Sequence, residues 1–193
     1  MRIAGKAHRN IGALYFWCMF ISFLNSFPDG MHDERCFLSL IGLLSIWLSF
    51  TGMRMAQIKI APRFKTIDRI SATLFFFANL VMIGFLFYLF LTSNTQFATI
   101  PGVFSAIFAM SAFTDFYYLM IKNNPEHLVS RPLWIYTHIV RMIGSLIAAT
   151  AAFLVNVQPF ENNIINWLLP SALGVTLIRL YISKYKKQYG KIA

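Results

Sequence analysis

The chain has 193 residues, of which 58% are hydrophobic, 17% are aromatic and only 12% are charged. A soluble domain of this length could not bury so much apolar surface, so the composition excludes a soluble globular protein and predicts a protein that lies in lipid. The net charge of +10 is also typical of nucleic-acid-binding proteins, but the basic residues flank predicted helix ends as membrane topology signals do, so we expect no nucleic-acid partner.

Apolar stretches of about the 20 residues that cross a bilayer occur six times along the sequence. They predict an all-α, polytopic membrane helix bundle that forms a single transmembrane domain over residues 1–193. Breaks that carry Pro, Gly, Asn or charged residues separate the stretches, and none of the breaks is long enough to hold a soluble domain. The predicted transmembrane helices cover residues 11–27, 36–53, 72–91, 100–121, 133–156 and 164–182.

The distribution of charge predicts the orientation of the bundle, because Lys and Arg concentrate in short cytoplasmic loops. An even number of spans places both termini on one side, and the opposite side carries Arg35 with the acidic residues Asp29, Asp33, Glu34 and Glu161. We therefore expect cytoplasmic N- and C-termini, next to anionic lipid head groups. The basic residues of the cytoplasmic side are Arg2, Lys6, Arg9, Arg54, Lys59, Arg63, Lys65, Arg69, Lys122, Arg131, Lys184, Lys186, Lys187 and Lys191.

Motifs of known chemistry are missing from the sequence. It contains no Walker loop, Rossmann glycine pattern, zinc-protease motif or nucleophile elbow.

Cys18 lies in the middle of a predicted helix and Cys36 at a helix end, so we expect neither a disulfide nor a metal ion site. No small-x-small cleavage site follows the first apolar stretch, which predicts a retained helix rather than a signal peptide. We do not expect a stand-alone enzyme.

The fifth span is unusual because His138 and Arg141 lie in an otherwise apolar run. Ionisable groups at membrane depth are costly and turn toward a partner or a water-filled cavity. Counting about 1.5 Å per residue, Asp115 in the fourth span lies at a depth similar to that of His138, and His8 lies just outside the first span. We predict a buried polar cluster of Asp115, His138 and Arg141 that His8 approaches.

Helical spacing extends this polar pattern to neighbouring positions. A stripe of polar and small residues on the fifth span should face protein, and small residues on the second span permit close packing of helices. The first span also has several polar or small residues near one face. These residues are Ser145, Ala148, Ala152 and Asn156 on the fifth span, Gly42, Ser45, Ser49 and Gly52 on the second, and Gly12, Tyr15, Ser22 and Asn25 on the first.

Four interpretations of the cluster stay open. The first is a structural ion pair of Asp115 with Arg141, oriented by His138. The second is proton- or ion-coupled transport, in which Asp115 and His138 titrate. The third is b-type haem or quinone-linked electron transfer, with His138 as one axial ligand, His8 or His127 as the other, and Arg141 near a propionate. The fourth is an enzyme of the inner leaflet, for which the sequence lacks a nucleophile with an adjacent base.

Three parts of the chain resemble a group of uncharacterised bacterial integral membrane proteins. These parts are His8–Tyr15, which matches a His-Arg-x-x-Gly-x-x-Tyr lead into the first helix, Asp115 late in the fourth span, and His138–Gly144, which matches a His-x-x-Arg-Met-x-Gly segment in the penultimate helix. The resemblance implies a bacterial inner membrane and no established activity. It carries over His8, Asp115, His138 and Arg141, the same positions that the cost of burial indicates.

The sequence therefore predicts an integral inner-membrane protein that acts in transport or as a component of a membrane complex. A b-type haem or quinone-linked electron-transfer protein is the alternative, in which His138 and His8 would bind haem b. The expected partners are the lipid bilayer, other membrane proteins or further copies of the chain.

Overall fold

The computed structural model describes residues 5–26, 36–58, 64–92, 99–122 and 133–189. Over these residues the chain is helical and contains no strand, which confirms the all-α prediction. A π-helical segment, Tyr117–Lys122, continues α4. The helices are α1 (Lys6–Ser26), α2 (Cys36–Ile58), α3 (Thr66–Thr92), α4 (Thr99–Phe116), α5 (Leu133–Val157) and α6 (Asn163–Tyr189).

Several helices extend beyond the apolar stretches that predict them. Helix α1 begins five residues before position 11, α2 ends five residues after position 53, α3 begins six residues before position 72, and α6 ends seven residues after position 182. The added turns carry many Lys and Arg residues, most of which are exposed, so that their charged heads reach water while their stems cover apolar surface. Arg54, at the end of α2, is buried. Apolar length therefore predicts the centre of a helix better than its ends.

Local hydrogen bonds determine where two of the helices begin. The N–H of Lys65 donates to the Asp68 carboxylate at 2.8 Å, and the N–H of Asp68 donates to the Lys65 carbonyl at 2.9 Å. The Asp68 carboxylate thus accepts from the backbone three residues earlier, which is one of the two hydrogen bonds of a capping box, while the second bond is an ordinary backbone turn at the start of α3. At the start of α6, the Asn162 side-chain oxygen accepts a hydrogen bond from the N–H of Ile164 at 3.0 Å, as an N-cap residue does.

Helices α5 and α6 form an antiparallel hairpin and pack along each other. Gln158, with φ of 49°, ends α5 in the left-handed conformation, which is a common way to terminate a helix. Gly174 lies directly against the side chain of Ile147, where a Cβ atom would overlap it. The hairpin therefore depends on a glycine at this contact.

The helices belong to two compact units. Unit 1 consists of Met1–Gln57 with Arg131–Ala193 and contains α1, nearly all of α2, α5 and α6. Unit 2 is Ile58–Ser130 and contains α3, α4 and the π-helical segment. The single transmembrane domain over residues 1–193 stays a prediction.

Aromatic rings join the two helices of unit 2. The rings of Phe76 and Phe116 stack with their centres 4.6 Å apart, and those of Phe75 and Phe108 meet edge to face at 6.4 Å. Such pairs contribute about 0.5–1.5 kcal/mol each beyond the area that they bury. Unit 2 is thus held together at these points by ring packing.

Two helices in the described part of the chain are long and apolar enough to cross a membrane, judged by length and composition. They are Leu133–Val157 and Ile164–Gln188, on α5 and α6. Large apolar side chains on both helices are exposed, among them Phe153, Leu173 and Leu180. Exposed apolar surface of this kind is typical of contact with lipid or another protein. Six spans and the orientation of the termini stay predictions.

Candidate functional site

Two histidine rings lie next to each other in unit 1. The ring centres of His8, on α1, and His138, on α5, are 6.2 Å apart, and the ring planes are inclined at 65°. The Nδ1 atom of His138 lies 2.7 Å from the carbonyl oxygen of Gly52, on α2. Because a carbonyl oxygen can only accept, the proton of this hydrogen bond is on Nδ1. We call His8, Gly52 and His138 the histidine layer.

A second set of contacts links the same three helices through hydroxyl groups. The Ser145 hydroxyl, on α5, donates to the carbonyl of Ser45, on α2, at 2.8 Å. The Tyr15 hydroxyl, on α1, lies 2.9 Å from the Ser145 hydroxyl oxygen. Since the single proton of Ser145 is used toward Ser45, Tyr15 is the donor to Ser145. We call Tyr15, Ser45 and Ser145 the hydroxyl layer.

The two layers give the relative directions of the three helices. They are separated by seven residues on each helix, from position 8 to 15 on α1, from 138 to 145 on α5 and from 52 to 45 on α2. Seven residues are about two helical turns, so both layers lie on the same face of each helix, about 10 Å apart. Helices α1 and α5 therefore run parallel, and α2 runs antiparallel to both.

Helices α2 and α5 approach each other closely at the histidine layer. A Cβ atom on Gly52 would lie 3.0 Å from the sulfur of Met142 and 3.2 Å from Cβ of Arg141. One turn further, a Cβ atom on Gly144 would lie 3.4 Å from the Leu48 side chain. Glycine at these positions lets the backbones come together, and this closeness puts the Gly52 carbonyl within reach of His138.

The α1 side of the same region is open. Gly12 lies one turn after His8, and a Cβ atom at this position would have no atom within 4 Å. His8 is exposed, whereas His138 and Tyr15 are half-buried. A larger side chain at position 12 would therefore meet no neighbour within this distance.

The structure brings together some of the predicted site residues. His8 and His138 contact each other in the histidine layer. Arg141 lies on α5, one turn after His138, and is buried, with 8% of its surface exposed. Asp115 is also buried, on α4 in unit 2, and its contact with His138 and Arg141 stays a prediction. His127 lies outside the described residues.

The polar stripe of α5 is buried over a shorter length than predicted. Arg141, Ser145 and Ala148 are buried, whereas Ala152 is half-buried and Asn156 is exposed. The Asn156 amide donates to the carbonyl of Ala152 on its own helix at 3.2 Å. A polar side chain near a helix end can satisfy itself in this way, so Asn156 needs no partner on another helix.

The donor set of the site is small. Among the described residues, no group of three or more His, Cys, Asp or Glu side chains comes together. Cys18 is a free, exposed cysteine on α1. Within the part of the chain that the structure describes, the histidine layer therefore offers two imidazoles to a ligand.

Comparison with protein families, curated proteins and solved structures returns no match to the chain. The function is therefore argued from the arrangement of the side chains. Tyr15, Ser45 and Gly52 belong to the polar and small faces that helical spacing indicates, although the sequence gives no signal for which of them meet.

Proposed function

We propose that the chain is a multi-pass protein of the bacterial inner membrane, with cytoplasmic termini, that acts in transport or as a component of a membrane complex. The observation that carries the proposal is the pair of polar layers joining α1, α2 and α5 inside a strongly apolar chain. The resemblance to bacterial integral membrane proteins agrees with it. The proposed functional site is the polar interior of unit 1.

The directions of the helices support an alternately crossing chain. In such a chain the first and fifth helices cross the membrane in the same direction, and the second and sixth cross in the opposite one. The layers give this arrangement for α1, α2 and α5, and the short loop at 158–162 reverses the chain between α5 and α6. Four of the six helices therefore agree with the predicted topology.

The charges at two helix ends support the proposed orientation. Lys6 and Arg9 are exposed at the start of α1, and Lys184, Lys186 and Lys187 are exposed at the end of α6. In the proposed topology these two ends lie on the same side of the membrane. Basic clusters near the membrane surface favour the cytoplasmic leaflet with its anionic head groups.

The histidine layer is the part of this interior best suited to chemistry. Because Nδ1 of His138 donates to Gly52, the neutral ring keeps Nε2 as an acceptor for a proton or a ligand. The hydroxyl layer, in contrast, uses its donors within the protein, since Ser145 and Tyr15 both have partners. We therefore assign function to the histidine layer and helix positioning to the hydroxyl layer.

Cysteine labelling tests the topology. In a chain with Cys18 and Cys36 replaced by serine, we expect Glu161→Cys to react with a membrane-impermeant maleimide applied to intact spheroplasts. Lys187→Cys, at the other end of α6, should react only after the membrane is permeabilised. Glu161 and Lys187 are both exposed on the protein. A difference in labelling between the two cysteines therefore reports the side of the membrane and not burial in the protein. Labelling of Lys187→Cys in intact spheroplasts, or none of Glu161→Cys, would contradict the proposed orientation.

A second experiment distinguishes transport from a role in a membrane complex. Proteoliposomes that contain the purified chain and a pH-sensitive dye would report proton movement driven by an imposed potassium diffusion potential. A flux that disappears in His138→Ala would support transport. Without a flux, native gels of detergent-solubilised cell membranes should show the chain in an assembly with other membrane subunits. A monomer without flux would contradict both roles.

A further inference from the structure

We propose that His8 and His138 are the two axial ligands of a haem b. The proposed site lies in the histidine layer, between α1 and α5 of unit 1. This inference rests on the proposed membrane-complex function and deepens it, because it names a cofactor for the same layer. It is argued from the orientation of His138, the spacing of the two rings, the number of donors and the space beside α1.

The orientation of His138 is that of a metal ligand. Histidines that bind metals almost always donate their other ring N–H to a carbonyl or carboxylate, which fixes the tautomer and makes the ligating nitrogen more basic. Nδ1 of His138 donates to the Gly52 carbonyl at 2.7 Å. Nε2 is therefore the nitrogen left for the iron.

The distance between the rings suits a shared metal. Two metal–imidazole bonds of about 2 Å each separate the ligating nitrogens by about 4 Å. The ring centres are further apart than the nitrogens, so the observed 6.2 Å between the centres of His8 and His138 is of the size that one metal between them requires.

The small donor set favours haem over a bare metal ion. A structural zinc ion takes four ligands and a catalytic one usually three from the protein, but no group of three or more His, Cys, Asp or Glu side chains comes together among the described residues. A porphyrin supplies four nitrogens to its iron and asks the protein for one or two axial ligands. Two imidazoles complete such a centre.

The surroundings of the pair differ on its two sides. On the α2 side, Gly52 is packed against Met142 and Arg141. On the α1 side, the position beside Gly12 is open, so a porphyrin edge could lie against the helix one turn after His8.

An absorption spectrum of the detergent-purified full chain tests the proposal. The protein is expressed with added haem precursor and measured oxidised and then reduced with dithionite. We expect a Soret band and, after reduction, the sharp bands of a low-spin haem with two axial imidazoles. His138→Ala and His8→Ala should each lose this six-coordinate spectrum. Tyr15→Phe, which alters the hydroxyl layer and leaves both imidazoles in place, should retain it.

Two further variants separate a ligand role from a folding role. His138→Gly should lose the native spectrum and regain it when imidazole is added to the buffer, because the free imidazole occupies the vacated position. Gly12→Leu should lower the haem content without changing the elution volume of the protein. Neither result is expected if His138 serves only to hold α2 against α5.

Three outcomes would overturn the proposal. They are a featureless spectrum from monodisperse wild-type protein made with ample haem, a native spectrum that survives in both histidine variants, and a bound metal ion without porphyrin in elemental analysis. Failure here is distinct from failure of the topology, because maleimide labelling of Glu161→Cys and Lys187→Cys requires no haem.

Discussion

Both units contain ring contacts between helices, such as that of Phe16 with Phe50 in unit 1, and unit 1 adds hydrogen bonds between its helices. In unit 1, directional hydrogen bonds such as that from Ser145 to Ser45 connect one helix to another. In unit 2, the described contacts between α3 and α4 include the stacked rings of Phe76 and Phe116. Ring packing tolerates small shifts of one helix against the other, whereas a hydrogen bond of 2.8 Å requires one register. The hydrogen-bonded layers of unit 1 therefore have a geometry suited to a defined site.

The largest expected effect is that of widening the closest contact in unit 1. Gly52→Leu places a side chain where Cβ alone would lie 3.0 Å from the Met142 sulfur. Overpacking of this kind typically costs about 1–3 kcal/mol, and separation of α2 from α5 would also break the hydrogen bond of His138. Thermal unfolding of haem-free protein in detergent should show a clear loss of stability.

Gly12→Leu is the matched control for this substitution. It adds the same atoms on α1, but into a position with no atom within 4 Å of Cβ. Its unfolding temperature in haem-free protein should stay close to that of the wild type. Equal destabilisation by the two leucines would contradict the contrast between the tight α2 side and the open α1 side.

A smaller effect is expected from Ser145→Ala. The substitution removes the hydrogen bonds to Tyr15 and Ser45 at a fully buried position. Interhelical hydrogen bonds in membrane proteins average about 0.6 kcal/mol each, so we expect a loss of about 1 kcal/mol in the free energy of unfolding. Thr137→Ala is the control on the same helix, because the Thr137 hydroxyl donates within α5 to the Leu133 carbonyl. An equal loss in Thr137→Ala would show that the interhelical bonds add nothing.

Tyr15→Phe should have a smaller effect still, since it removes a single donor. We expect a loss of about 0.6 kcal/mol, and a double-mutant cycle with Ser145→Ala should give a coupling energy of about the same size. Unfolding by the same series of detergent mixtures gives the free energy of unfolding of the two single variants and the double variant. Additive losses would mean that the 2.9 Å contact between the two hydroxyls does not form.

In unit 2, the removal of one buried polar group should not lower the stability of the protein. Asn79 is buried on α3, and neither atom of its amide group has a hydrogen-bond partner in the structure. Burial of an unsatisfied amide is costly, so Asn79→Leu should leave stability unchanged or raise it slightly. A clear loss of stability in the same unfolding assay would mean that the Asn79 amide makes a stabilising contact.

The sequence predicts the helices of this chain well and their partners poorly. The apolar stretches overlap each of the six α-helices of the described residues, because a helix satisfies its own backbone hydrogen bonds wherever a long apolar run is taken out of water. The cost of burying charge also points to His138 and Arg141 from the pattern of residues alone. The partner of His138, however, is the backbone carbonyl of Gly52, and a backbone acceptor leaves no mark on the sequence.

The hydroxyl layer illustrates the same limit. Tyr15 and Ser45 lie on faces that helical spacing identifies, but spacing describes one helix at a time. Which turn of α1 meets which turn of α5 depends on how the helices pack, and small residues permit several registers. The predicted contact of Asp115 with Arg141 relied on matching depths alone and stays a prediction.

The central claim is the parallel register of α1 and α5, which brings His8 beside His138 and Tyr15 beside Ser145. Cross-linking with a short bifunctional thiol reagent, in a chain without Cys18 and Cys36, tests it most directly, because the contacts join the ends of long side chains and the backbones are too far apart for a direct disulfide. The paired substitutions His8→Cys with His138→Cys, and Tyr15→Cys with Ser145→Cys, should be cross-linked by the reagent in membranes. The mixed pair His8→Cys with Ser145→Cys, two turns out of register, should not. Cross-linking of the mixed pair in preference to the two matched pairs would contradict the account.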